Sequence, residues 1–484
     1  MHPLLDELAR AAAARPDAPA LSDQSLALSH AQAHAIARGL AARIRENTAR
    51  PRFGILAPTS TAGAVALLAG WYAGRIPVPL NFLLAPAELA GISADADLDF
   101  ALTVELFEPL AKQLGLHTLR LDRDSLAPGD TPAPPGHARD TAAVIYTSGT
   151  SGDPKGVCLT FGNLLANSRA CIDHTRMTPD HIFLSTLPQF HSFGLTPMTV
   201  VPLLLGASAW YLPRFSAVAV AAEIASRRVS IFMGTASMYA ALARLKDPSP
   251  ADFASLTLAI SGGEPLPTTV RDAAHARLGV SILEGYGLTE ASPVVSFNTP
   301  WASRPGSVGR ALPGVLLSIA GSDGAALPPN EEGEILVRGP SVMSGYLNKP
   351  RPTAETIRDG ALWTGDIGRL DSDGFLFITG RSKDLIIVGG ENVYPREIES
   401  VLAEHPAVAE AAVVPAPDRL RGETPVAFVV LREGATTTDA ELRGFCRGRL
   451  AAYKIPSNVR VVPELPRGPT GKVHKRALRA MLTE

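Results

Sequence analysis

The chain has 484 residues, 46% hydrophobic and 19% charged, and its 45 Lys and Arg against 47 Asp and Glu give a formal net charge of -2. That length exceeds what one hydrophobic core usually supports, so at least two domains are expected, and the near-neutral balance leaves no basic field for a nucleic-acid partner. Three scattered cysteines, Cys158, Cys171 and Cys446, exclude a disulfide framework or a zinc site and point to packing roles in a reducing compartment.

Residues 1–15 read as an amphipathic helix whose acids and arginines interrupt the apolar positions. The stretch lacks the apolar region of a secretory signal, and a cytoplasmic location is expected. The longest apolar stretches, 62–74 and 197–213, are short or broken by Gly and Pro and fall below a membrane span; a buried helix and a helix-to-strand passage are expected there. Residues 126–139 contain Pro-Ala-Pro-Pro-Gly and predict an irregular surface connector. Ala142-Ala143-Val144-Ile145 reads as a buried strand. Further short apolar runs follow at 182–187, 208–212, 231–233, 256–261 and 280–284, with helical patterns at 217–228 and 268–278. Strands alternating with helices predict α/β layers with mainly parallel sheets and ligands gathered at the carboxyl ends of the strands. From 306 to 380, Gly-Pro and Asp-Gly turns between short strands predict a β-rich subdomain. Beyond 380 a compact α+β segment is expected, with strands at 386–388, 409–414 and 425–431 and helices at 395–403 and 439–451.

Between Tyr146 and Val157 the chain reads Tyr-Thr-Ser-Gly-Thr-Ser-Gly-Asp-Pro-Lys-Gly-Val. Glycines let successive N–H groups converge on an anion, the hydroxyls of Thr147, Ser148, Thr150 and Ser151 add donors, and Lys155 supplies charge, so the loop suits a polyphosphate. It is not a Walker A loop, because Pro154 precedes the lysine and Gly156 follows it where a metal-binding hydroxyl would stand. A lone string of this kind could be a Gly/Ser-rich surface turn. Further along stand Ser261-Gly262-Gly263-Glu264-Pro265-Leu266, Glu284-Gly285-Tyr286-Gly287-Leu288-Thr289-Glu290, Trp363-Thr364-Gly365-Asp366, Gly380-Arg381-Ser382-Lys383-Asp384, Gly389-Gly390-Glu391-Asn392 and Pro466-Arg467-Gly468-Pro469-Thr470-Gly471-Lys472.

Together and in this order these segments resemble the motifs of the adenylate-forming superfamily, which includes acyl- and aryl-CoA synthetases, amino-acid adenylation domains and beetle luciferases. The resemblance covers nearly the whole chain. It implies the adenylate-forming enzyme fold: an α/β protein with a large N-terminal domain of layered sheets plus a β-rich subdomain, residues 1–381, and a small mobile α+β C-terminal domain, residues 382–484. By the same resemblance ATP is held by Thr147, Ser148, Gly149, Thr150, Ser151, Gly152 and Lys155 at its β- and γ-phosphates, Glu290 coordinates Mg2+, and Thr289 contacts the α-phosphate. Tyr286 stacks on the adenine with Gly287 next to it in the cofactor site, Gly262, Gly263 and Glu264 line its other side, and Asp366 accepts from the ribose hydroxyls with Arg381 beside it. Lys472 swings in on the small domain to bridge the carboxylate, the α-phosphate and the ribose. Rotation about a hinge at Lys383 then exchanges Lys472 for the Gly389-Gly390 loop, whose glycines leave room for a pantetheine arm. Lys383 departs from the Asp found in many acyl-CoA synthetases, and Thr160-Phe161-Gly162-Asn163 replaces a more usual His-Arg-Asn.

The segment from Pro188 to Leu195 corresponds to one that lines the acyl site in the family, where His191 stands near the carboxylate or gates the pocket. No aspartate lies between 187 and 205 to pair with an α-ammonium, which disfavours an amino acid. Segments 232–239 and 292–296 are small or apolar and suit an alkyl or aryl chain. The whole looks most like a fatty-acyl ligase, expected to make acyl-AMP from a medium- or long-chain acid and pass the acyl group to CoA. Transfer to an acyl carrier protein (phosphopantetheine) or an amine, an aryl-acid CoA ligase, and a luciferase-like monooxygenase are the alternatives. A monomer or homodimer is expected.

Overall fold

The computed structural model describes residues 2–147, 154–467 and 473–482. The chain divides into two compact units: Met1–Leu266 with Arg271–Leu317 and Val337–Leu362, and Pro267–Val270 with Ser318–Leu336 and Trp363–Glu484.

The first unit is built on a nine-stranded sheet whose centre is parallel. Strand Ile231–Gly234 pairs with Leu258–Ser261 on one side and Ile182–Ser185 on the other, and Leu258–Ser261 carries Ile282–Gly287. Side chains such as Phe183, Phe232 and Ile231 are fully buried, as strands covered on both faces require. Helix Thr61–Ala73 is buried on every side, and the passage expected at 197–213 consists of helical turns Thr196–Val200 and Val201–Leu205 followed by strand Ser208–Tyr211. Helix Pro3–Ala14 buries Leu4, Leu5, Leu8 and Ala12 along one stripe. A second, four-stranded parallel sheet runs Ile76–Pro79, Arg52–Leu56, Phe100–Thr103, His117–Arg120.

The strand expected at 142–145 differs from the sequence reading in one respect. It extends over Thr141–Thr147 and pairs antiparallel with Lys155–Thr160, in a three-stranded sheet completed by Gly345–Tyr346. The Gly/Ser-rich loop therefore joins the arms of a hairpin and does not follow a strand of the parallel sheet. Val144 enters the core of the second sheet with Leu56, Val78, Leu89 and Ala101, and Tyr146, Cys158 and Leu347 pack against it, so the hairpin stands on a rigid base.

In the second unit, strand Leu376–Arg381 pairs antiparallel with Ala361–Leu370, setting Asp366 opposite Arg381. The α+β segment holds the expected elements, with Val408–Asp418 and Gly422–Leu431 forming a longer hairpin than the sequence indicates. Its last expected helix stops at Cys446, because Arg447 is extended and Gly448 takes φ 81°. Ile386, Val393, Ile398, Leu402, Val413 and Leu442 form its own core. Among the described residues no helix is long and apolar enough to cross a membrane. The three cysteines are unbridged, and burial pushes the Cys158 and Cys171 thiols up to about 11 and about 12.

His34 is buried against Tyr72, its Nδ1 2.7 Å from the phenol oxygen, and loss of solvent together with nearby Arg38 and His30 lowers its pKa from 6.5 to about 4. Below pH 6.5 the unfolded chain binds a proton that the folded chain refuses until about pH 4. Stability is thus fully present above pH 6.5 and should fall by up to about 1.4 kcal/mol per pH unit as the pH drops through that window. Urea unfolding at a series of pH values should show a shallower fall for His34→Gln, with a remainder from His30, which burial lowers in the same direction.

Candidate active site

The arms of the hairpin that carries the Gly/Ser-rich segment are fixed at Tyr146 and Lys155. Tyr146 donates its hydroxyl to Asp95 at 2.6 Å, and its ring lies over Gly156, where a Cβ would come within 3.0 Å of the ring. Lys155 stands opposite Thr147 at the loop exit, and its ammonium sits 4.9 Å from the centre of the Tyr346 ring. The hydroxyl of Tyr346 donates to Oε1 of Glu290 at 2.8 Å. Oε2 has no hydrogen-bond partner among the described residues. Lys155 and Glu290, 135 positions apart in the chain, are thus joined through one aromatic side chain.

Glu290 lies in the short turn Thr289–Ala291 that follows strand Ile282–Gly287. The turn is reached through a close backbone crossing: a Cβ on Gly287 would stand 2.3 Å from the Pro293 carbonyl oxygen, so only glycine fits. Thr289 is buried, and its hydroxyl is 3.0 Å from that of Ser192, next to His191. His191 accepts the Phe193 N–H through Nδ1 and so caps the turn Ser192–Leu195. The Phe193 ring faces Gly262, where a Cβ would meet it at 3.3 Å. Gly263 takes φ 81°, and Glu264 accepts the Ser237 N–H at 2.7 Å. Tyr286, half-buried, pairs with Ser296. Contacts therefore link Lys155 to Glu290 through Tyr346, and Thr289 to Ser192 beside His191, while Gly262, Gly263, Glu264, Tyr286 and Gly287 stand at the carboxyl ends of neighbouring strands.

In the second unit Asp366 is buried and accepts from Nε of Arg381 at 2.7 Å, while Gly365 takes φ 71° and donates its N–H to Glu334. Gly389 and Gly390 form a two-residue hairpin turn with φ 62° and 92°, a conformation that itself asks for glycine. The space around both is open. Ser148, Gly149, Thr150, Ser151, Gly152 and Lys472 lie outside the described residues. The sequence reading passed over Tyr346 and assigned no effect to Asn163. Asn163 completes a capping box with Thr160 at helix Phe161–Thr175 and donates to the carbonyls of Pro340 and Val342.

No group of three or more His, Cys, Asp or Glu that could hold a metal exists among the described residues. One carboxylate with a free oxygen suits Mg2+, which keeps waters and substrate phosphates as its other ligands.

A family model described as AMP-binding enzyme matches residues 8–347, and its C-terminal domain model matches residues 397–472. The chain belongs to the AMP-binding enzyme family. As a member of this adenylate-forming group it is an AMP-forming acid–thiol ligase. It is 35% identical over 477 residues to a feruloyl-CoA synthase of an Amycolatopsis species, covering 97% of each chain. It is 41% identical over 349 residues to a long-chain-fatty-acid–CoA ligase of Bacillus subtilis, covering 71% of this chain and 62% of that one. The fold is similar to that of ATP-bound MatB from Rhodopseudomonas palustris, with TM-score 0.92, 33% identity and 99% of each chain covered.

Gly287→Ala must move the backbone crossing by about an ångström and carry Thr289 and Glu290 with it. ATP–pyrophosphate exchange should fall roughly 10²-fold in this variant, since misplacements of that size cost about that much.

Proposed function

We propose that this protein activates an apolar carboxylic acid with ATP, releasing pyrophosphate, and transfers the acyl group to CoA. The single observation that carries the reading is the joined pair of Lys155 and Glu290 at the mouth of a hydroxyl- and glycine-rich hairpin loop. An acid carboxylate and ATP are both anions, and one must attack the other. Lys155 and the loop N–H groups draw the β- and γ-phosphates to the hairpin, and Glu290 would hold Mg2+ beside them. The metal, when bound, neutralises phosphate charge.

A carboxylate oxygen of the substrate then attacks the α-phosphorus while the bond to pyrophosphate breaks. Thr289, Lys472 and the ribose contacts of Asp366 fix the reacting groups, and Lys472 stabilises charge on the pentavalent transition state. In the second step the CoA thiolate attacks the acyl carbon and AMP leaves. The small domain, residues 382–484, rotates about Lys383 between the two steps, bringing the open Gly389-Gly390 turn to the pantetheine arm.

The side chain of the acid is read by apolar groups. Phe193 over Gly262, Phe232 and Met238 around Gly234, and the Val294 segment provide no Lys or Arg for a second carboxylate. A fatty acid of medium or long chain is the first reading. An aryl acid is the second, favoured by the full-length likeness to a feruloyl-CoA synthase. An acyl carrier protein or an amine in place of CoA would keep the same first step; no observation favours the oxidative chemistry of a luciferase.

Pyrophosphate release with Mg-ATP and CoA should peak at one member of a panel running from acetate to palmitate with benzoate and ferulate. It should fall on the order of 10²–10³-fold in Lys472→Ala with ATP binding retained. Adenylate trapped by hydroxylamine without CoA turnover would move the acceptor to a carrier protein or amine, and silence with every acid would sink the assignment.

A further inference from the structure

Tyr346 lies in none of the motifs that carry the resemblance, yet it is the side chain that touches both Lys155 and Glu290. Its backbone is held without help from its hydroxyl. Gly345 and Tyr346 pair with Cys158 and Val157, the Leu347 N–H donates to Gly156 at 2.7 Å, and the Met343 N–H donates to the Glu290 carbonyl at 2.8 Å. The Tyr346 N–H donates to the Thr353 hydroxyl at 2.9 Å, and Gly345 admits the Thr353 side chain where a Cβ would come within 2.8 Å of it. The side chain is therefore aimed by five consecutive residues clamped between the strand that leaves the phosphate loop and the turn that bears the acidic residue.

We propose that Tyr346 is a positioning residue for nucleotide and metal: its hydroxyl fixes the Glu290 carboxylate so that one oxygen is presented outward, and its ring seats the Lys155 ammonium beside it. The phenol O–H is the donor of this bond, 2.8 Å from the carboxylate oxygen. The carboxylate is then acceptor at Oε1 and cannot rotate freely. The tyrosine stands between the ammonium and the carboxylate, its ring 4.9 Å from Lys155 Nζ and its hydroxyl 2.8 Å from Glu290 Oε1. It holds Lys155 by cation–π attraction, which yields to a phosphate more readily than a salt bridge would. The proposal rests on the reading of Glu290 and Lys155 as metal and phosphate ligands, and extends it to a residue outside them.

The test separates hydroxyl from ring. Calorimetric titrations of ATP with and without Mg2+, and of AMP, are made on the wild type, Tyr346→Phe and Tyr346→Leu. Tyr346→Phe should raise the Mg2+ concentration that half-saturates the ATP complex about 10-fold or more, the usual cost of losing an outer-shell partner. Metal-free ATP and AMP should bind it as they bind the wild type. On a Glu290→Gln background the same change should have no further effect. Tyr346→Leu should in addition weaken metal-free ATP about two- to fivefold while sparing AMP, which lacks the β- and γ-phosphates. An unchanged Mg2+ requirement in Tyr346→Phe, or equal weakening of ATP and AMP, would overturn the proposal. Because these titrations need no acid substrate, they read Tyr346 even where pyrophosphate release fails and the proposed function falls.

Discussion

The backbone of residues 343–347 hydrogen-bonds to Gly156 and Cys158 on one side and to Glu290 on the other, and the spacing of Lys155 and Glu290 depends on that brace. A loop rich in Gly, Ser and Thr has little conformational preference of its own. Its function requires that its two arms and the acidic turn keep a fixed spacing. The brace supplies this with main-chain bonds, which do not depend on side-chain identity, and leaves Tyr346 free to meet charge. Asn163 and Asn167 extend the same device: each sits on helix Phe161–Thr175 and ties carbonyls of 340–342 and of 291–294 to the helix.

Several polar groups inside this unit are held by specific partners. The Trp71 indole donates to the Ala142 carbonyl at the base of the hairpin, and the Thr289 hydroxyl meets Ser192. Buried donors and acceptors left unmatched are costly, so such pairings fix one arrangement of neighbouring elements where apolar packing alone would tolerate several. The hairpin is thereby registered on the sheet below it by Val144 and Trp71 together. The proposed binding of a polyphosphate gains from this rigidity, since charge is best met by donors already in place.

Much of this was legible in the residues. The parallel strands at 182–185, 231–234 and 258–261 announce themselves as short apolar runs, and the helix at 61–73 as a continuous apolar stretch, because burial on all sides writes itself directly into composition. Less legible was the partner of a strand. Thr141–Thr147 looks the same whether it pairs with a parallel neighbour or folds back on Lys155–Thr160, since local sequence specifies extension and alternation but not the neighbour. The end of the helix at Cys446 depended likewise on one left-handed glycine two residues on.

By itself the sequence determined the chemistry available. Hydroxyls, glycines and a lysine in one loop, an acid after Gly-Leu-Thr, an aspartate after Trp-Thr-Gly and small or apolar segments at 232–239 and 292–296 are choices of residue type, and type is what a sequence states outright. Only the tertiary structure decided that Lys155, Tyr346 and Glu290 meet, and that Asp366 is buried with Arg381 as its partner. The physical reason is that these contacts join residues far apart in the chain through strand register and backbone clamps. Register is set by the packing of whole sheets, and no local pattern of residues encodes it.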